Sequence, residues 1–446
     1  MRNLLFILFW LAVCIPSLAL EGTINIHDPS TVVKYDENYY VFGTGPGIPF
    51  LVSSNGFDWQ RGGRVFSHIP DSVKGYVPKN NGTNVWAPDV IYLNGRYYVY
   101  YAVSFWGSFV SAVGLVTNAT LDTNRADYKW TDCGMVVQSS QGQDLNAIDP
   151  GVCQAPDGTL WLCYGSYHGN IELVQLDPVT GLRIATNSPV SIIANQSEAS
   201  DIIFHNGYYY LFVNHGSCCV SNNSTYNIRV GRSKRIIGPY LDRFGDDLVG
   251  GGGTLFLAAQ GKDIGPGHFG RIIEDGVERF SCHYEAEIGR KGRSILDLRP
   301  LLWTTDDWPL PGDNLAAGSY QIMSLRSGTI LQSTTNGALV QMGRYLIHPD
   351  QQWSITPAGG GCYKITNLNT ANALTAGPEA TLRLTPFTGA ANQLWKIDQL
   401  VDGSYRIASP VDKLALAMRL KAPSHSAVVR ESFSDDPAQH WVIMSP

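Results

Sequence analysis

The sequence predicts an all-β chain in which a five-bladed β-propeller is followed by a smaller three-fold β unit. Three observations lead to this fold class. Strand-like runs rich in Tyr, Val, Ile and Phe alternate with turn signals from residue 22 to 310, with almost no helical periodicity. Within that region one plan of strand, turn and strand occurs five times. After Pro311 a different pattern occurs three times, which indicates a second repeat unit.

The composition also favours short strands and tight turns. The chain has 446 residues, enough for two or three domains, with 46 glycines, 11% aromatic residues and only 16% charged residues. Its net charge of −6 supplies no basic face, so we expect no nucleic-acid partner. The charge is too small to indicate any other class of partner.

Residues 1–19 have the pattern of a secretory signal. Arg2 precedes the apolar run from Leu4 to Ile15, and small residues follow up to Ala19. The alternative is a membrane anchor, but the run is short for a bilayer and no other stretch comes close. We therefore expect cleavage after Ala19, a secreted extracellular protein, and no membrane contact after cleavage.

Cleavage would leave seven cysteines, and their spacing matches no zinc pattern. In an oxidising compartment we expect disulfide bonds, with at least one cysteine left over because the number is odd. Cys218 and Cys219 are adjacent, which permits a strained vicinal bridge. Five glycosylation triplets, typical of a secreted product, begin at Asn81, Asn118, Asn195, Asn222 and Asn223.

The five copies of the first plan predict the blades of the propeller, over residues 20–310. Their central turns fall at residues 37, 95, 158, 207 and 276, which leaves 49 to 69 residues between turns. That is room for about four short strands per copy, or one sheet per blade. The copies open at His27-Asp28-Pro29, Ala87-Pro88-Asp89, Ile148-Asp149-Pro150, Glu198-Ala199-Ser200-Asp201 and Gly265-Pro266-Gly267-His268.

Each copy opens with an acid or a histidine, and this recurrence predicts a functional site. If the first strand of each copy is the innermost of its blade, Asp28, Asp149, Glu198 and His268 converge at one end of the central channel. Taken alone, an Asp beside Pro or before a turn often only caps that turn. We favour a site because several such residues occupy matched positions in a repeat.

The second repeat predicts a self-contained three-fold β unit over residues 316–446. Its copies recur at spacings of 43 and 42 residues, after a linker that runs from Trp308 to Asp313. Each copy ends in a Gln-x-Trp motif that would place a tryptophan in the core. The motifs are Gln351-Gln352-Trp353, Gln393-Leu394-Trp395 and Gln439-His440-Trp441.

A secreted, aromatic-rich chain with grouped acids and no nucleotide motif suggests polysaccharide hydrolysis. Cleavage of a glycosidic bond needs one carboxyl group to protonate the leaving oxygen and a second to activate water or attack the sugar. A third charged group nearby keeps the acid protonated, because neighbouring carboxylates do not all ionise cheaply. Asp28, Asp149 and Glu198 supply such a set.

Seven motifs mark the region around these acids. They are His27-Asp28-Pro29, Trp86-Ala87-Pro88-Asp89, Asn146-Ala147-Ile148-Asp149-Pro150, Ser197-Glu198-Ala199, Cys218-Cys219, the run from Ser224 to Ser233, and Gly265-Pro266-Gly267-His268. Together they resemble glycoside hydrolase family 43, and within it the endo-1,5-α-L-arabinanase group, over roughly residues 22 to 310. The resemblance implies a five-bladed propeller that hydrolyses the α-1,5-linked arabinofuranose chains of arabinan, a plant cell-wall polysaccharide, with inversion.

The resemblance also implies roles for single residues. Asp28 is the general base, Glu198 is the general acid, and Asp149 orients Glu198 and raises its pKa. Inversion requires a water between base and sugar, so the carboxyl groups of Asp28 and Glu198 are expected roughly 6.5–9.5 Å apart. His268 is implied to bind a Ca²⁺ ion that is otherwise surrounded mainly by water. Without the resemblance His268 would be interpreted as a hydrogen-bonded core histidine, because calcium prefers oxygen ligands.

Aromatic and polar residues near the motifs are candidates for substrate binding. Trp86, Phe105 and Trp106 offer flat apolar surface for sugar rings, with ordinary core packing as the alternative. Trp86 is favoured because it lies at the start of a blade. Side chains that are predicted to bond sugar hydroxyl groups belong to Asn146, Ser166 and Asn214.

The C-terminal repeats resemble the ricin-type β-trefoil. The sugar-binding loop of that family usually carries an Asp shortly after the first strand of a repeat. The corresponding residues here, which include no Asp, are Leu331-Gln332-Ser333, Leu374-Thr375-Ala376 and Leu416-Ala417-Met418. A carbohydrate-binding module and a purely structural unit therefore both stay open.

Two other functions are compatible with the sequence. The same propeller fits an exo-acting α-L-arabinofuranosidase or a β-xylosidase, because loops decide the length of the cleft. A decayed propeller joined to a trefoil would be a non-catalytic carbohydrate-binding protein, which the presence of all three acids disfavours. For the enzyme, the expected partner is arabinan or a pectin side chain, and we expect a monomer.

Overall fold

The computed structural model describes residues 19–185, 189–290, 292–419 and 427–446. Within these ranges nearly every element is a β-strand, and the one α-helix is α1 (Asp71–Lys74). No helix in them is long and apolar enough to cross a membrane. Apart from Ala19, the predicted secretory signal lies outside the described residues. The chain divides into two compact units, residues 20–313 with 400–403, and residues 314–399 with 404–446.

The first unit is a five-bladed propeller, which confirms the predicted fold class. Each blade is an antiparallel sheet of four strands in chain order, and blade I carries one more strand, β1, paired in parallel with β5. The first strands of successive blades contact one another from blade I to blade V, so they are the innermost strands.

The strands of each blade follow in chain order. Blade I contains β1 (Glu21–Gly22), β2 (Val33–Tyr35), β3 (Asn38–Phe42), β4 (Pro49–Ser53) and β5 (Asp58–Arg64). Blade II contains β6 (Val85–Leu93), β7 (Arg96–Val103), β8 (Ser111–Asn118) and β9 (Thr131–Ser139), and blade III contains β10 (Gly151–Gln154), β11 (Leu160–Gly165), β12 (Asn170–Leu176) and β13 (Ser191–Asn195). Blade IV contains β14 (Glu198–His205), β15 (Tyr208–His215), β16 (Asn227–Ser233) and β17 (Thr254–Leu257), and blade V contains β18 (Asp263–Glu274), β19 (Val277–Glu287), β20 (Arg293–Trp303) and β21 (Pro309–Pro311).

Tight hairpins join the first and second strands of the blades at the predicted turns. In Asn94-Gly95, Asn206-Gly207 and Asp275-Gly276 both residues have positive φ, between 49° and 82°. A type I′ turn requires this conformation, which glycine adopts freely and Asn and Asp tolerate. These local signals therefore fix the register of the inner hairpins.

The apolar core of the propeller lies between neighbouring blades. Four clusters of buried side chains fill the spaces between blades I and II, II and III, III and IV, and IV and V. Along β7, Val99 and Tyr101 belong to the cluster shared with blade I, whereas Tyr98 and Tyr100 belong to the one shared with blade III. Because successive side chains point to opposite faces, a strand that is covered on both faces reads as a continuous apolar run.

One residue at the start of each blade has a left-handed backbone. These residues are Asp28 (φ 47°), Ala87 (φ 43°), Asp149 (φ 52°), Ala199 (φ 52°) and His268 (φ 55°). Residues other than glycine rarely adopt this conformation, which often marks a functional site. In blades II, IV and V it coincides with an irregularity in the strand ladder. Such bulges re-aim side chains.

This conformation corrects one detail of the predicted repeat. The position that Asp28, Asp149 and His268 share is held in blade IV by Ala199, so Glu198 precedes it by one residue. The ladder irregularities lie between Trp86 and Asp89 and between Glu198 and Asp201, which makes Trp86 the blade II counterpart of Glu198. The sequence did not reveal this offset because all five openings carry an acid or a histidine within a few residues.

The second unit is a β-trefoil, which confirms the rest of the predicted fold class. It has three repeats of four strands, and β22 pairs with β33, so the first and last repeats are joined. The first repeat contains β22 (Gly318–Ser324), β23 (Ile330–Ser333), β24 (Val340–Gly343) and β25 (Trp353–Pro357). The second contains β26 (Tyr363–Asn367), β27 (Ala373–Ala376), β28 (Leu382–Thr385) and β29 (Leu394–Gln399), and the third contains β30 (Tyr405–Ala408), β31 (Ala415–Arg419), β32 (Ala427–Glu431) and β33 (Trp441–Met444).

The Gln-x-Trp motifs hold the three repeats in the same way. The indole N–H groups of Trp353, Trp395 and Trp441 donate to the backbone oxygens of Leu331, Leu374 and Leu416 at 2.9, 2.9 and 3.1 Å. Each motif glutamine also pins the loop before it, as when Gln351 donates to Arg344 O at 2.6 Å and accepts from Leu346 N at 2.7 Å. The glutamine and the tryptophan of each motif are buried, so hydrogen bonds to their polar groups stabilise the fold.

The predicted secretory features have mixed structural support. Cys133, Cys153, Cys163, Cys218, Cys219 and Cys282 are thiols, so the structure shows no disulfide among these six. Asn118 is buried and its side-chain oxygen accepts a backbone hydrogen bond, which makes it a poor glycosylation site. The triplets at Asn81, Asn222 and Asn223 are exposed and the one at Asn195 is half-buried, so glycosylation at these four stays a prediction.

Candidate active site

Asp28, Asp149, Glu198 and His268 come together from blades I, III, IV and V, as the sequence predicted. Asp28 Oδ1 lies 3.1 Å from His268 Nδ1. Asp149 Oδ2 accepts the backbone N–H of Ala199 at 3.2 Å, directly beside Glu198. The charges of Asp149, His268 and Asp28 all act on the Glu198 carboxyl group. Residues up to 240 positions apart in the chain therefore form one charged cluster.

Asp28 is buried and held in its ionised form. Its Oδ2 atom lies 2.8 Å from His27 Nδ1 and accepts the hydroxyl of Thr44 at 2.5 Å. Burial alone would raise the pKa of Asp28, but the charges of His27 and His268 hold it well below its usual value. An ionised carboxylate of this kind is suited to accept a proton.

Glu198 has the opposite protonation state. Burial is the largest influence on this half-buried carboxyl, and with the charge of Asp149 it raises the pKa of Glu198 to about 8. The Tyr226 hydroxyl donates to Glu198 Oε1 at 2.8 Å and pulls the pKa the other way. Glu198 is therefore mainly protonated at pH 7, and Oε2 is left to carry the proton.

The pKa of Asp149 lies between those of Asp28 and Glu198. Burial raises the pKa of Asp149 to about 6, opposed by the charge of His268 and assisted by that of Asp28. Above that pH Asp149 is negative, and its charge makes ionisation of Glu198 less favourable. Its bond to Ala199 N–H also fixes the backbone that carries Glu198.

His268 is half-buried beside the carboxylates. Burial lowers the pKa of His268, but the charge of Asp28 outweighs it and raises the pKa to about 9. Asn214 accepts the backbone N–H of His268 at 3.2 Å and donates to Pro266 O at 3.0 Å. The Nε2 atom of His268 is buried and has no hydrogen-bonding partner in the described part of the chain.

Several residues around the cluster were not predicted. His283 Nδ1 accepts the backbone N–H of Asp28 at 2.9 Å, so in the neutral ring the proton is on Nε2, which faces Glu285 Oε1 at 3.4 Å. Burial, with the charge of His27, lowers the pKa of His283 to about 4 and keeps the ring neutral. The motif search missed His283, Glu285 and Thr44 because no repeat marks them, although His283 and Glu285 do alternate on β19. Tyr226 lies within the motif from Ser224 to Ser233, but no role was predicted for it.

The predicted aromatic residues have different surroundings. Trp86 and Trp106 have ring centroids 5.7 Å apart, and Trp106 is 73% exposed. Phe105 instead packs against the core between blades I and II, where Lys79 Nζ lies 5.8 Å from its ring centroid. Trp86 and Trp106 thus form the accessible aromatic pair, and a sugar contact by Phe105 stays a prediction.

The predicted polar residues are buried and bonded to the protein. Ser111 donates to Asn146 Oδ1 at 2.6 Å, and Asn146 donates to Ser166 Oγ at 3.3 Å. Asn214 is fully buried, and its amide is used by Pro266 and His268. Asn214 therefore positions His268, and direct bonds from these three residues to a sugar stay predictions.

Two groups of side chains among the described residues have the geometry to hold a metal ion. One consists of His27, Asp28 and His283, and the other of His27, Cys219 and Glu285. Within each group the possible ligand atoms lie within 4.8 Å of one another. His268 is in neither group.

Comparison with known proteins assigns the family. The model of glycosyl hydrolases family 43 matches residues 23–309. The chain belongs to glycosyl hydrolases family 43. It is thus a glycoside hydrolase, as the motifs predicted, and family 43 enzymes act with inversion. A model of the ricin-type β-trefoil lectin domain-like family matches residues 302–376 and 349–429.

Individual relatives within family 43 bear two kinds of name. The chain is 38% identical over 293 residues to the extracellular endo-α-(1→5)-L-arabinanase 1 of Bacillus subtilis, covering 64% of this chain and 87% of that protein. It is 34% identical over 317 residues to the extracellular exo-α-(1→5)-L-arabinofuranosidase ArbA of Cellvibrio japonicus, covering 67% and 90%. A solved exo-1,5-α-L-arabinanase from a bovine ruminal metagenomic library has a TM-score of 0.61 and 38% identity, covering 64% of this chain and 96% of that one.

Proposed function

We propose that this family 43 enzyme is secreted and hydrolyses the α-1,5-L-arabinofuranosidic bonds of arabinan, cutting within the chain. The names of the relatives support the substrate, and two of those names carry the word extracellular. The observation that carries the proposal is the pair of opposite protonation states, an ionised Asp28 beside a protonated Glu198. A base and an acid in one cluster are the two groups that inverting hydrolysis uses.

In the proposed reaction Asp28 takes a proton from a water molecule as that oxygen bonds to the anomeric carbon. The glycosidic bond breaks at the same time, and the leaving oxygen takes the proton of Glu198. Asp28 ends protonated and Glu198 ends ionised, and exchange with solvent restores both. Asp149 keeps Glu198 protonated before the reaction and holds its backbone through Ala199.

Product analysis tests this proposal most directly. The protein is incubated with debranched arabinan, branched arabinan and xylan, and the sizes of the products are followed over time. Endo cleavage releases mixed arabino-oligosaccharides from debranched arabinan at the earliest times. Arabinose alone from the outset would indicate exo cleavage, release of xylose would indicate a β-xylosidase, and polysaccharide binding without new reducing ends would contradict catalysis.

The pH dependence of activity is expected to report Glu198. Because the acid works only when protonated, kcat/KM should fall as pH rises through about 8, where Glu198 loses its proton. In Asp149→Asn the neighbouring negative charge is gone, so the pKa of Glu198 falls and the alkaline limb moves to lower pH. The measurement is the pH profile of kcat/KM on linear arabinan for both proteins.

Tyr226→Phe provides the matched variant with the opposite sign. The Tyr226 hydroxyl bonds to Glu198 and lowers its pKa, so its removal raises the pKa and moves the alkaline limb to higher pH. If the alkaline limb moved in the same direction in Asp149→Asn and in Tyr226→Phe, the proposed effects of these two residues on the pKa of Glu198 would be contradicted. A limb that neither variant moves would show that another group titrates there.

The exposed aromatic pair is expected to contribute to polymer binding. Trp106→Ala should raise KM for arabinan about two- to ten-fold with little change in kcat, because an aromatic contact contributes about 0.5–1.5 kcal/mol. Phe244→Ala is the control, since Phe244 is 90% exposed on the loop between β16 and β17. An equal effect of the two variants on KM would argue against a sugar platform at Trp106.

We also propose that His268 holds the calcium ion implied by the family. Both ring nitrogens of His268 are buried without a hydrogen bond to the described residues, although Asp28 Oδ1 lies 3.1 Å from Nδ1, so Nε2 can bind an ion once the ring gives up its proton there. A carboxylate behind a ligand histidine is the usual arrangement at metal sites. When bound, the ion supplies positive charge close to the carboxylates, and its remaining ligands would be mainly water.

Removal of calcium is expected to lower both activity and thermal stability. An ion present at 100 times its dissociation constant adds about 2.7 kcal/mol to the free energy of unfolding, which a chelator removes. The measurements are Tm and arabinan hydrolysis before and after chelation, with calcium added back. In His268→Gln, addition of calcium should no longer raise Tm, and an unchanged response of this variant would place the ion elsewhere.

The remaining parts of the proposal concern the whole chain. We propose that the enzyme acts as a monomer and that the trefoil either binds carbohydrate or serves as a structural unit. At the repeat positions where the lectin family carries Asp, Gln332 bonds Gln351 at 2.8 Å and Thr375 bonds Thr385 at 2.7 Å. Because both side chains are engaged within the unit, any sugar contact would have to come from other residues.

A further inference from the structure

A cluster of nitrogen, oxygen and sulfur atoms that could bind a metal lies beside the base, and the proposed mechanism gives its thiols no role. It consists of His27, Glu285 and the adjacent thiols of Cys218 and Cys219. Glu285 is buried, Cys218 is half-buried and Cys219 is exposed, so the cluster opens to solvent on the thiol side. No motif of the sequence joins these residues, because they come from three segments that lie far apart in the chain.

The contacts in the cluster are close and direct. His27 Nε2 lies 3.1 Å from Glu285 Oε1, and the backbone N–H of Cys219 donates to Glu285 Oε2 at 3.0 Å. The sulfur atoms of Cys218 and Cys219 lie 2.6 Å apart. Cys219 also has a φ of 64°, a conformation that non-glycine residues rarely adopt outside functional segments.

The orientation of His27 is the one that metal sites use. Its Nδ1 atom lies 2.8 Å from Asp28 Oδ2, so the proton on that side is fixed by a carboxylate and Nε2 is directed toward Glu285. Metal-ligating histidines commonly donate their other ring N–H to a carboxylate, which fixes the ring and increases its basicity. His27 is further held by stacking on His283, with ring centroids 4.5 Å apart.

The spacing of the ligand atoms matches a small tetrahedral ion. Zinc bonds of about 2.0–2.2 Å to nitrogen and oxygen put those two ligand atoms about 3.4 Å apart, and sulfur and nitrogen about 3.6 Å apart. The observed separation of His27 Nε2 and Glu285 Oε1 is 3.1 Å, and all three ligand atoms, with Cys219 Sγ, lie within 4.8 Å of one another. Small side-chain movements would complete the geometry.

We propose that His27, Cys219 and Glu285 form a binding site for a thiophilic divalent cation of the zinc class, with Cys218 available as a fourth ligand. The thiolate distinguishes this site from the calcium position at His268. Calcium takes oxygen ligands and would not select a thiolate, whereas zinc binds sulfur and imidazole nitrogen readily.

Binding is balanced by the release of protons. The cation forms bonds to Cys219 Sγ, His27 Nε2 and Glu285 Oε1, while the thiol proton and the Nε2 proton of His27 pass to the buffer. The two released protons balance the two charges of the cation, so the net charge beside Asp28 is unchanged.

The affinity and stoichiometry of Zn²⁺ binding are measured directly, without reference to activity. The reduced full-length protein is stripped of metal, its accessible thiols are counted, and Zn²⁺ is titrated calorimetrically in two buffers of different ionisation enthalpy. Co²⁺ is added as a spectroscopic probe in a separate titration. The expected results are one bound Zn²⁺ per chain with proton release and, for Co²⁺, the charge-transfer absorption of a cobalt–thiolate bond.

Three variants locate the ion. Cys219→Ser should lose the thiolate absorption and most of the Zn²⁺ affinity, while Cys133→Ser, which removes a half-exposed thiol of β9, should bind as the unchanged protein does. His268→Gln should also retain Zn²⁺. If Cys219→Ser binds Zn²⁺ normally and His268→Gln does not, the ion occupies the site at His268 and the proposal is wrong.

Absence of thiolate-bound Zn²⁺ even after complete reduction of Cys218 and Cys219 would overturn the proposal, whatever the activity.

Discussion

Asp28→Asn is expected to lower kcat on debranched arabinan by about 10²–10⁴-fold. The amide has nearly the same shape as the carboxylate but takes no proton from the attacking water. Substrate binding should change little, so the loss should fall on kcat and leave KM within a few-fold. The measurement is the initial rate of reducing-end release, with circular dichroism and Tm to establish that the variant is folded.

Asp297→Asn is the matched control for this experiment. Asp297 is a carboxyl in blade V, where burial raises its pKa to about 6 and its charged neighbours are Arg299, Asp263 and Asp313. Neutralising it should leave most of the activity, because none of these neighbours belongs to the acid cluster. A folded Asp28→Asn protein with near-full activity would remove Asp28 from the role of base.

Glu198→Gln is expected to cause a loss of the same size on arabinan, about 10²–10⁴-fold, because the amide gives no proton to the leaving oxygen. The loss should depend on the leaving group. A nitrophenyl arabino-oligosaccharide releases a nitrophenolate that departs without a proton, so the variant should recover most of its rate on that substrate. The measurement compares both substrates in the same buffer.

The two variants together separate the roles of the two carboxyl groups. Asp28→Asn should be slow on both substrates, because both reactions need an activated water. Glu198→Gln should be slow only on the substrate with the poor leaving group. The reverse pattern would exchange the assignments of acid and base, and equal losses on both substrates in both variants would show that neither residue acts as the acid.

Much of the fold could be predicted from the sequence because its signals are local. The inner hairpins follow from pairs such as Asn94-Gly95 and Asn206-Gly207, whose residues suit the left-handed turn. The Gln-x-Trp spacing identified the trefoil because the same bond, from the tryptophan N–H to a backbone oxygen, occurs once in each of the three copies. Signals of this kind depend on residues that are close in the chain.

Part of the site could be predicted for the same reason, and the rest could not. Asp28, Asp149, Glu198 and His268 lie at the starts of four of the five blades, so a repeat revealed them. Tyr226 and His283 reach the site through contacts that only the folded chain creates, from Tyr226 to Glu198 and from His283 to the backbone of Asp28. Their sequence neighbours give no hint of those partners.

Loop residues were the least predictable. Phe105 and Trp106 are adjacent, yet the first packs on the core and the second is exposed beside Trp86. Strand alternation would separate two such neighbours, but they follow the end of β7, where the chain has left the ladder. The direction of each ring is set by the loop as a whole.

The left-handed residue at the head of each blade has a consequence for how such enzymes diversify. Two of the five positions, Ala87 and Ala199, carry no functional group, yet their backbones keep the same uncommon conformation. The conformation thus belongs to the propeller backbone and not to a particular side chain. It recurs at five equivalent positions, which carry different residues. A new carboxylate or imidazole at Ala87 or Ala199 would start from the backbone conformation that Asp28, Asp149 and His268 already use. Both alanines are buried, so such a change would also need space from their neighbours.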